Sequence, residues 1–266
     1  MIATPRTLHE LLDALAVPSE GILYVHSSVD WIRRGGFDPA TSLDTLRRRA
    51  GAAGTVVMPA YPCRTTHVEY LSGAPVYDVR RTPTAAGLIA EAFRRTPGAV
   101  RSLDPDFCVA AIGGEAADIA TPLAADPDPF GSDSPYQRML DRGTTLVGLG
   151  VSLNTNSFIH LLDSRLQAQY DRPVYSADLF PASVVDEGGR CSTVSRRALS
   201  PQFQTRIAPS ALVDEIGGDA ETFTSFTAGG AVFFRWDLSR WYAASLAHAQ
   251  ARLATGQRPC WLRGLE

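Results

Sequence analysis

Residues 144–167, with the sequence TTLVGLGVSLNTNSFIHLLDSRLQ, carry the clearest structural pattern in the chain. Residues 146–151 form a short apolar run that contains two glycines, which is typical of a buried strand rather than of a helix. Residues 152–156 are polar and favour a turn. A helix with an apolar face is predicted to follow, with Ser157 as its N-cap. The order is therefore strand, polar loop, helix.

The first turns of this predicted helix carry His160 and Asp163. Ligands of α/β proteins bind at the carboxyl ends of strands, where such loops lie. The i,i+3 spacing places the two side chains on one helix face. The carboxylate can fix the tautomer of the imidazole, while the helix N-terminus favours its neutral form, as a general base requires. A purely structural ion pair is the alternative.

Length and composition indicate a globular protein with a large core. The chain has 266 residues, of which 45% are hydrophobic and 20% charged, and we expect one domain over residues 1–266. No apolar run approaches the roughly 18–20 residues that span a bilayer. The first residues do not resemble a signal peptide, so a cytoplasmic location without membrane contact is expected. The net charge of −3, without a basic run, argues against a nucleic-acid partner.

The residue types that are missing or scattered exclude several chemistries. All 25 basic residues are arginine, which excludes a lysine Schiff base and a Walker-type phosphate loop. The four cysteines and five histidines lack the spacing of metal ligands, so no metal is predicted. The cysteines are expected to be reduced thiols.

The remaining periodicities predict an α/β fold. We expect a mixed central sheet flanked by helices, with a smaller β-rich portion towards the C-terminus that could form a lobe over residues 170–230. Glu187-Gly188-Gly189 is predicted to turn a hairpin within that portion. Helices are predicted to begin at Pro83 or Thr84 and after Asp237, which can cap the last helix. The long segment 60–84 reads as an irregular, functional loop in which His67 is a surface residue.

Residues 149–163, LGVSLNTNSFIHLLD, resemble the signature of the aminoglycoside 3-N-acetyltransferase family. That signature has Asn-Thr, two residues, His, two residues and an acidic residue, usually Glu. Ser157 stands where the family has Thr, and Asp163 stands where it has Glu. Both replacements keep the functional group, although Asp is one methylene shorter. The resemblance implies an α/β architecture particular to this family.

A second matching motif is His26-Ser27-Ser28-Val29, which is similar to the family's His-Ser/Thr-Ser-Leu. The resemblance implies that Ser27, Ser28 and Val29 help to hold coenzyme A, because hydroxyls and N–H groups at a helix start can receive a pyrophosphate. Alternatively, a serine here only caps the next helix and His26 is structural. Arg33-Arg34-Gly35-Gly36 could contact phosphates or form a solvated loop.

A third motif, Arg101-Ser102-Leu103-Asp104-Pro105, resembles the family's Arg-Ser-x-His-Pro and assigns Arg101 and Ser102 to the coenzyme A site. Asp104 replaces the family's His. Its carboxylate could attract a cationic amine or pair with Arg101. Tyr77-Asp78…Thr82-Pro83 is similar to an element on the substrate side, so Asp78, Asp104 and Tyr61 are predicted to bind substrate.

Together the motifs imply a coenzyme A-dependent N-acyltransferase that uses acetyl-CoA or another acyl-CoA and a small-molecule amine of the aminoglycoside type. His160 would be the general base, Asp163 its orienting group, and Ser157 an oxyanion donor or proton relay. One alternative is a biosynthetic acyltransferase with a non-aminoglycoside amine or a different thioester donor. A hydrolase with Ser157 as nucleophile is disfavoured, because three residues in one turn cannot easily align as a triad. A non-catalytic binding protein is the last alternative.

Overall fold

The structure is a computed structural model that describes residues 7–34, 39–120, 123, 126–205 and 207–262. A mixed seven-stranded sheet carries helices on both faces, and a smaller three-stranded sheet lies beside it. The predicted α/β class, with its smaller β-rich C-terminal portion, is confirmed.

The strands are β1 (Ile22–Ser27), β2 (Thr55–Pro59), β3 (Val76–Asp78), β4 (Val100–Arg101), β5 (Val109–Gly113), β6 (Thr145–Leu149), β7 (Tyr175–Val185), β8 (Cys191–Leu199), β9 (Phe223–Ala228) and β10 (Ala231–Asp237). The α-helices are α1 (Leu8–Ala14), α2 (Val29–Arg34), α3 (Pro39–Ala50), α4 (His67–Ser72), α5 (Leu88–Arg94), α6 (Ala116–Ala120), α7 (Pro135–Asp141), α8 (Ile159–Leu166), α9 (Pro201–Thr205), α10 (Ala211–Ile216) and α11 (Leu238–Ala254). In the described part of the chain, no helix is long and apolar enough to cross a membrane.

The large sheet has the strand order β4-β5-β2-β1-β6-β10-β9. Its three central strands, β2, β1 and β6, are parallel, and the strands on either side are antiparallel. Ser27 of β1 pairs with Leu149 of β6, so these two strands end together. The loops that follow β1 and β6 are consequently neighbours at one edge of the sheet, where α/β proteins bind their ligands.

Both faces of the sheet are buried under helices, as the side-chain alternation of β1 shows. Leu23 and Val25 pack into the cluster that contains the apolar faces of α1 and α3. Tyr24 points to the opposite face, into the cluster that contains residues of α7, α8 and α11. This alternation is the period of a strand whose two faces are both covered.

The predicted β-rich lobe is divided between the two sheets. Strands β7 and β8 form the predicted hairpin, and β3 pairs with β7 in parallel to complete the small sheet. Strand β9 instead joins β10 at the edge of the large sheet. The segment 170–230 therefore contributes to both sheets.

Two predicted helix starts are wrong. Helix α8 begins at Ile159 with Phe158 at the N-cap, and the side chain of Asn156, not that of Ser157, accepts a hydrogen bond from the Phe158 N–H. Helix α5 begins at Leu88 rather than at Pro83 or Thr84. Thr84 belongs to the preceding loop, because its hydroxyl donates to the Tyr61 carbonyl. Local side-chain hydrogen bonds of this kind compete with helix formation.

The segment 60–84 is more ordered than its sequence suggests. It contains α4, which begins with a reciprocal capping box between Thr66 and Glu69. The prediction that His67 lies on the surface is wrong, since this side chain is fully buried and its Nδ1 accepts the Leu199 N–H at 2.8 Å. This bond ties α4 to β8.

The C-terminal part closes the domain against α8. Asp237 caps α11 as predicted, accepting from the Arg240 N–H. After α11, a 3₁₀ turn at Cys260–Leu262 is buried in the same cluster as α8. The Ala208 N–H donates to the Trp261 carbonyl at 2.8 Å, which fixes the turn.

Glycine at position 148 is required by packing, and its replacement is the first testable consequence of this fold. A Cβ at Gly148 would lie 2.1 Å from the buried ring of Phe234 on the neighbouring strand. We expect Gly148→Ala to lower the free energy of unfolding by about 1–3 kcal/mol through overpacking. Gly218→Ala is the matched control, because nothing lies within 4 Å of the added Cβ. Urea denaturation of both variants checks this, and equal stability would contradict it.

His26, buried at the end of β1, makes the stability of the fold depend on pH. Burial lowers the pKa of His26 from 6.5 to about 4, so the folded state keeps the imidazole neutral. The unfolded chain binds a proton below pH 6.5, and stability is therefore lost as the pH falls from 6.5 towards 4. By linkage this amounts to about 3 kcal/mol.

The measurement is urea denaturation of the wild type and of His26→Phe between pH 7.5 and pH 4. We expect the loss of unfolding free energy on acidification to be smaller in the variant by that amount. The same pH dependence in both proteins would show that His26 titrates normally in the folded state.

Candidate functional site

The site is built where the chain leaves β6 and enters α8. After Leu149 the chain turns through a 3₁₀ segment at Leu153–Thr155, which the Ser152 side chain caps. The N–H groups of Phe158, Ile159 and His160 are bonded to Asn156 and Ser157, so the turn before α8 is held by its own hydrogen bonds. This local structure presents His160 in the first turn of α8.

His160 and Asp163 meet as their spacing predicts. The distance from His160 Nδ1 to Asp163 Oδ2 is 3.4 Å, and the two side chains are 10% and 0% exposed. Neither of these two atoms forms a hydrogen bond in the structure, so the contact is a close approach of the imidazole and the carboxylate at ion-pair distance. Nδ1 is therefore the ring nitrogen nearest the carboxylate, and Nε2 is the ring nitrogen on the other side of the imidazole.

Two residues that the sequence did not indicate hold the other carboxylate oxygen. Trp261 Nε1 donates to Asp163 Oδ1 at 2.9 Å, and the Tyr170 hydroxyl donates to the same oxygen at 3.2 Å. A fully buried carboxylate needs such donors, because an unpaired buried charge is strongly unfavourable. Asp163 is thus fixed from the side opposite His160.

Aromatic rings surround the imidazole and give it a dry environment. The ring of Phe130 lies 4.9 Å from that of His160, and the ring of Phe107 lies 6.3 Å away. The ring centres of Phe130 and Tyr136 are 4.8 Å apart, and those of Tyr61 and Phe107 are 6.5 Å apart. The partly buried Tyr61, predicted to bind substrate, therefore lies one ring away from His160, on the side where Phe107 is also partly exposed.

Ser157 stands beside this aromatic group. Its side chain is partly exposed, and its hydroxyl interacts with the phenol of the buried Tyr24. Burial raises the pKa of Tyr24, so the phenol stays protonated. Since the N–H groups of Phe158, Ile159 and His160 are already bonded within the turn, the Ser157 hydroxyl is a better candidate than these three groups for donating to a developing oxyanion.

A cavity of about 650 Å³ opens at the carboxyl ends of β1 and β6. Its size is that of ligand sites, which commonly measure about 300–1,000 Å³. Ser28 and the segment 150–154 supply polar groups, and Trp31, Val232 and Phe233 supply apolar surface. This combination suits an elongated ligand with both polar and apolar parts, as coenzyme A has, but the described wall also contains the Asp30 carboxylate and no basic side chain.

Only one of the three serine-motif residues lies in the described wall of this cavity. Ser28 lines it, whereas Ser27 and Val29 are partly buried beside it. A Cβ at Gly150 would lie 2.5 Å from Trp31 Cβ, so the β6 loop and α2 pack closely there. The side chains of Arg33 and Arg34, and all of Gly35 and Gly36, lie outside the described part of the structure.

Arg101 and Ser102 are buried in the scaffold. The Arg101 guanidinium donates to the carbonyls of Ala60, Val79 and Thr82 and lies 4.9 Å from the centre of the Tyr77 ring. The Ser102 hydroxyl accepts from the Val109 N–H at 3.1 Å. These contacts hold both side chains inside the protein and engage the two terminal nitrogens of Arg101, whereas its buried Nε has no hydrogen-bond partner.

Asp104 pairs with Arg196 of β8, a partner that the sequence did not suggest. The distance from Arg196 NH2 to Asp104 Oδ1 is 2.7 Å, and both side chains are buried. The guanidinium also lies 3.9 Å from Asp106, whose other neighbour is His67 at 3.4 Å. The structure therefore uses the Asp104 carboxylate to join the loop after β4 to β8. It does not pair with Arg101.

Asp78 stabilises a turn. Its Oδ1 accepts the N–H groups of Arg80 and Arg81, and its own N–H donates to the Thr82 hydroxyl at 2.9 Å. This is the usual behaviour of Asp at the start of a turn. All these contacts of Asp78 are with residues 80–82 of the same turn.

Comparison with known proteins identifies the family. The family described as aminoglycoside 3-N-acetyltransferase matches residues 24–225. The aminoglycoside N(3)-acetyltransferase VIII of Streptomyces fradiae is 31% identical over 185 residues, 61% of this chain and 63% of that protein. The chain thus spans less than two thirds of the length of such curated relatives.

Solved structures show the same fold. The apoenzyme of aminoglycoside acetyltransferase AAC(3)-IVa is similar with a TM-score of 0.70 at 23% identity, over 96% of this chain and 94% of that one. AAC-IIIb, solved as a binary complex with CoASH, gives 0.72 at 20% identity, over 94% and 97% of the two chains. At these identities the similarity establishes architecture alone. Because the family match extends over residues 24–225, most of the chain, we conclude that this protein belongs to the aminoglycoside 3-N-acetyltransferase family.

Proposed function

We propose that this chain transfers an acetyl or other acyl group from a coenzyme A thioester to a primary amine of a small molecule, with an aminoglycoside-type acceptor. The observation that carries the proposal is the buried His160–Asp163 pair at the start of α8. The cavity at the ends of β1 and β6 is lined by residues 150–154 of the loop that leads into this helix, and His160 is not among its lining residues. The names of the family and of its relatives support the reaction and the acceptor class.

In this proposal His160 moves the proton. Its neutral imidazole accepts the proton that the attacking amine loses as the new C–N bond forms. The resulting imidazolium is stabilised by Asp163 at 3.4 Å and then protonates the sulfur as the C–S bond breaks. His160 thus returns to its neutral form at the end of the reaction, because the proton that it takes from the amine is the one that it gives to the sulfur.

The remaining residues have supporting roles. When bound, an acyl-coenzyme A would supply the electrophilic thioester carbonyl, and Ser28 and residues 150–154 would hold it through the cavity at the sheet edge. The Ser157 hydroxyl would donate to the carbonyl oxygen as negative charge develops there. Tyr61 and Phe107 would form an aromatic side of the acceptor site. Phe130 and Phe107 would keep water from the imidazole.

The Asp104–Arg196 pair favours a second candidate, namely transfer to a non-aminoglycoside amine or from a different thioester donor. A polycationic acceptor gains most from carboxylates that have no positive partner. Here the Asp104 charge is already matched by a buried guanidinium at 2.7 Å. A monoamine would lose nothing by this neutralisation.

Coenzyme A thiol release separates the two candidates. Acetyl-CoA is offered with a panel of aminoglycosides and of small monoamines, and the released thiol is measured. Release with an aminoglycoside supports the first candidate, and release with monoamines alone supports the second. A folded protein that releases no thiol with any amine would contradict the proposed reaction.

Removal of the base gives the corresponding mutational prediction. A positioned base typically contributes about 10²–10⁴-fold, so His160→Ala is expected to lower kcat by that factor while the protein stays folded. His9→Ala is the matched control, because that side chain is 69% exposed on α1. Wild-type kcat in a folded His160→Ala variant would show that another group accepts the proton.

A further inference from the structure

The contacts of Asp163 assign a role to two residues outside the predicted site. We infer that Trp261 and Tyr170 are positioning residues that fix one oxygen of Asp163 so that the other faces the catalytic imidazole. This inference rests on the proposed function, in which His160 is the base. It concerns the residues that contact the Asp163 carboxylate on the side away from His160.

The two oxygens of Asp163 have different surroundings. Oδ1 accepts from Trp261 Nε1 at 2.9 Å and from the Tyr170 hydroxyl at 3.2 Å. Oδ2 lies 3.4 Å from His160 Nδ1. A carboxylate held on one oxygen by two donors of fixed direction cannot rotate freely about its side-chain torsion. Its second oxygen is therefore kept on the side of the imidazole.

Both donors are themselves held in place. The Trp261 indole is buried, and the carbonyl of the same residue accepts from Ala208, so neither end of the residue is free to shift. The Tyr170 ring stacks on Phe203 at 5.8 Å with an interplanar angle of 11°. Burial, together with the negative charge of Asp163, raises the pKa of Tyr170, so its hydroxyl remains a donor. An indole N–H can only donate.

The length of the acidic side chain explains why such support matters here. Asp carries its carboxylate one methylene closer to the backbone than the Glu that stands at this place in the family signature. The shorter side chain reaches less far towards the imidazole, and the pair is correspondingly long at 3.4 Å. At this distance the two atoms do not form a hydrogen bond in the structure, so a further shift of the carboxylate away from the imidazole would weaken their interaction. The position of Asp163 must then be set by its surroundings.

Trp261 lies beyond the segment that matches the family model, which ends at residue 225. The donor at 2.9 Å therefore comes from the C-terminal turn of this chain, Cys260–Leu262. This turn packs into the same buried cluster as α8. The C-terminal segment thus contributes to the catalytic pair as well as to the core.

The test is steady-state kinetics of Trp261→Phe and Tyr170→Phe, singly and together, with the amine that gives thiol release. Each variant keeps an aromatic ring and removes one donor to Asp163. We expect each to lower kcat by roughly 10- to 100-fold, the usual effect of losing a neighbour that orients a catalytic group. The KM for acetyl-CoA should not change, because neither residue lines the cavity at the sheet edge.

Matched controls separate positioning from general damage to the core. Trp236→Phe replaces another buried tryptophan with the same smaller ring. Trp236 packs on Phe223 and does not donate a hydrogen bond to Asp163. Tyr242→Phe removes a half-buried hydroxyl on α11. All variants are compared well below their melting temperatures. Both controls should keep the kcat of the wild type.

A double-mutant cycle with Asp163→Ala gives the decisive readout. If Trp261 acts through Asp163, Trp261→Phe will lower kcat in the wild type and will have no further effect in Asp163→Ala. An equal loss in both backgrounds, or unchanged kcat in the two Phe variants, would overturn the inference and leave the proposed function intact. A wild-type protein without any amine-dependent thiol release would end the proposed function and this inference together.

Discussion

The contact between His160 and Asp163 is the constraint on which the arrangement of this protein depends. The two side chains are buried and 3.4 Å apart, so water cannot readily replace either partner if the other moves away. Both groups must therefore be held in place by the surrounding structure. The polar turn after β6 sets the start of α8 and hence the position of His160. Tyr170 and Trp261 bracket the carboxylate from the other side.

Two buried carboxylates near the site are matched by arginines of β8. Arg196 of β8 pairs with Asp104, and Arg197 pairs with Asp128 at 3.3 Å. The small sheet thus does more than extend the fold, since it brings positive charge to loops that border the rings around His160. This balance is relevant to the choice of acceptor, because the charge of a cationic amine must be matched by groups that are not already paired.

Sequence reasoning succeeded where the determining interactions are local. The β6–loop–α8 order follows from apolar runs and turn residues, and the meeting of His160 with Asp163 follows from i,i+3 geometry. It failed where contacts join remote segments. Trp261 and Asp163 are 98 residues apart, and Arg196 and Asp104 are 92 apart. No periodicity within either segment indicates such a pairing, and a lone Trp near the C-terminus reads simply as core.

Contacts at single positions have the same origin. Arg101 matches a motif of the family, and in the structure its guanidinium donates to three backbone carbonyls, which the motif does not indicate. His67 lies in a polar, irregular stretch, yet a capping box starts a helix there and buries the ring against β8. In each case the side chain satisfies backbone groups that only the folded chain brings near. A motif therefore locates a segment more reliably than it assigns the role of each residue.

The most direct test of the account is the kcat for amine-dependent thiol release in Asp163→Asn, measured beside the wild type. The substitution keeps the volume of the side chain and removes the negative charge that, in the proposed reaction, stabilises the imidazolium of His160. If the pair is the catalytic centre, kcat will fall by about 10²–10⁴-fold in a variant that unfolds at nearly the same temperature. A folded Asp163→Asn variant with wild-type kcat would show that the carboxylate is structural and that proton transfer does not depend on this pair.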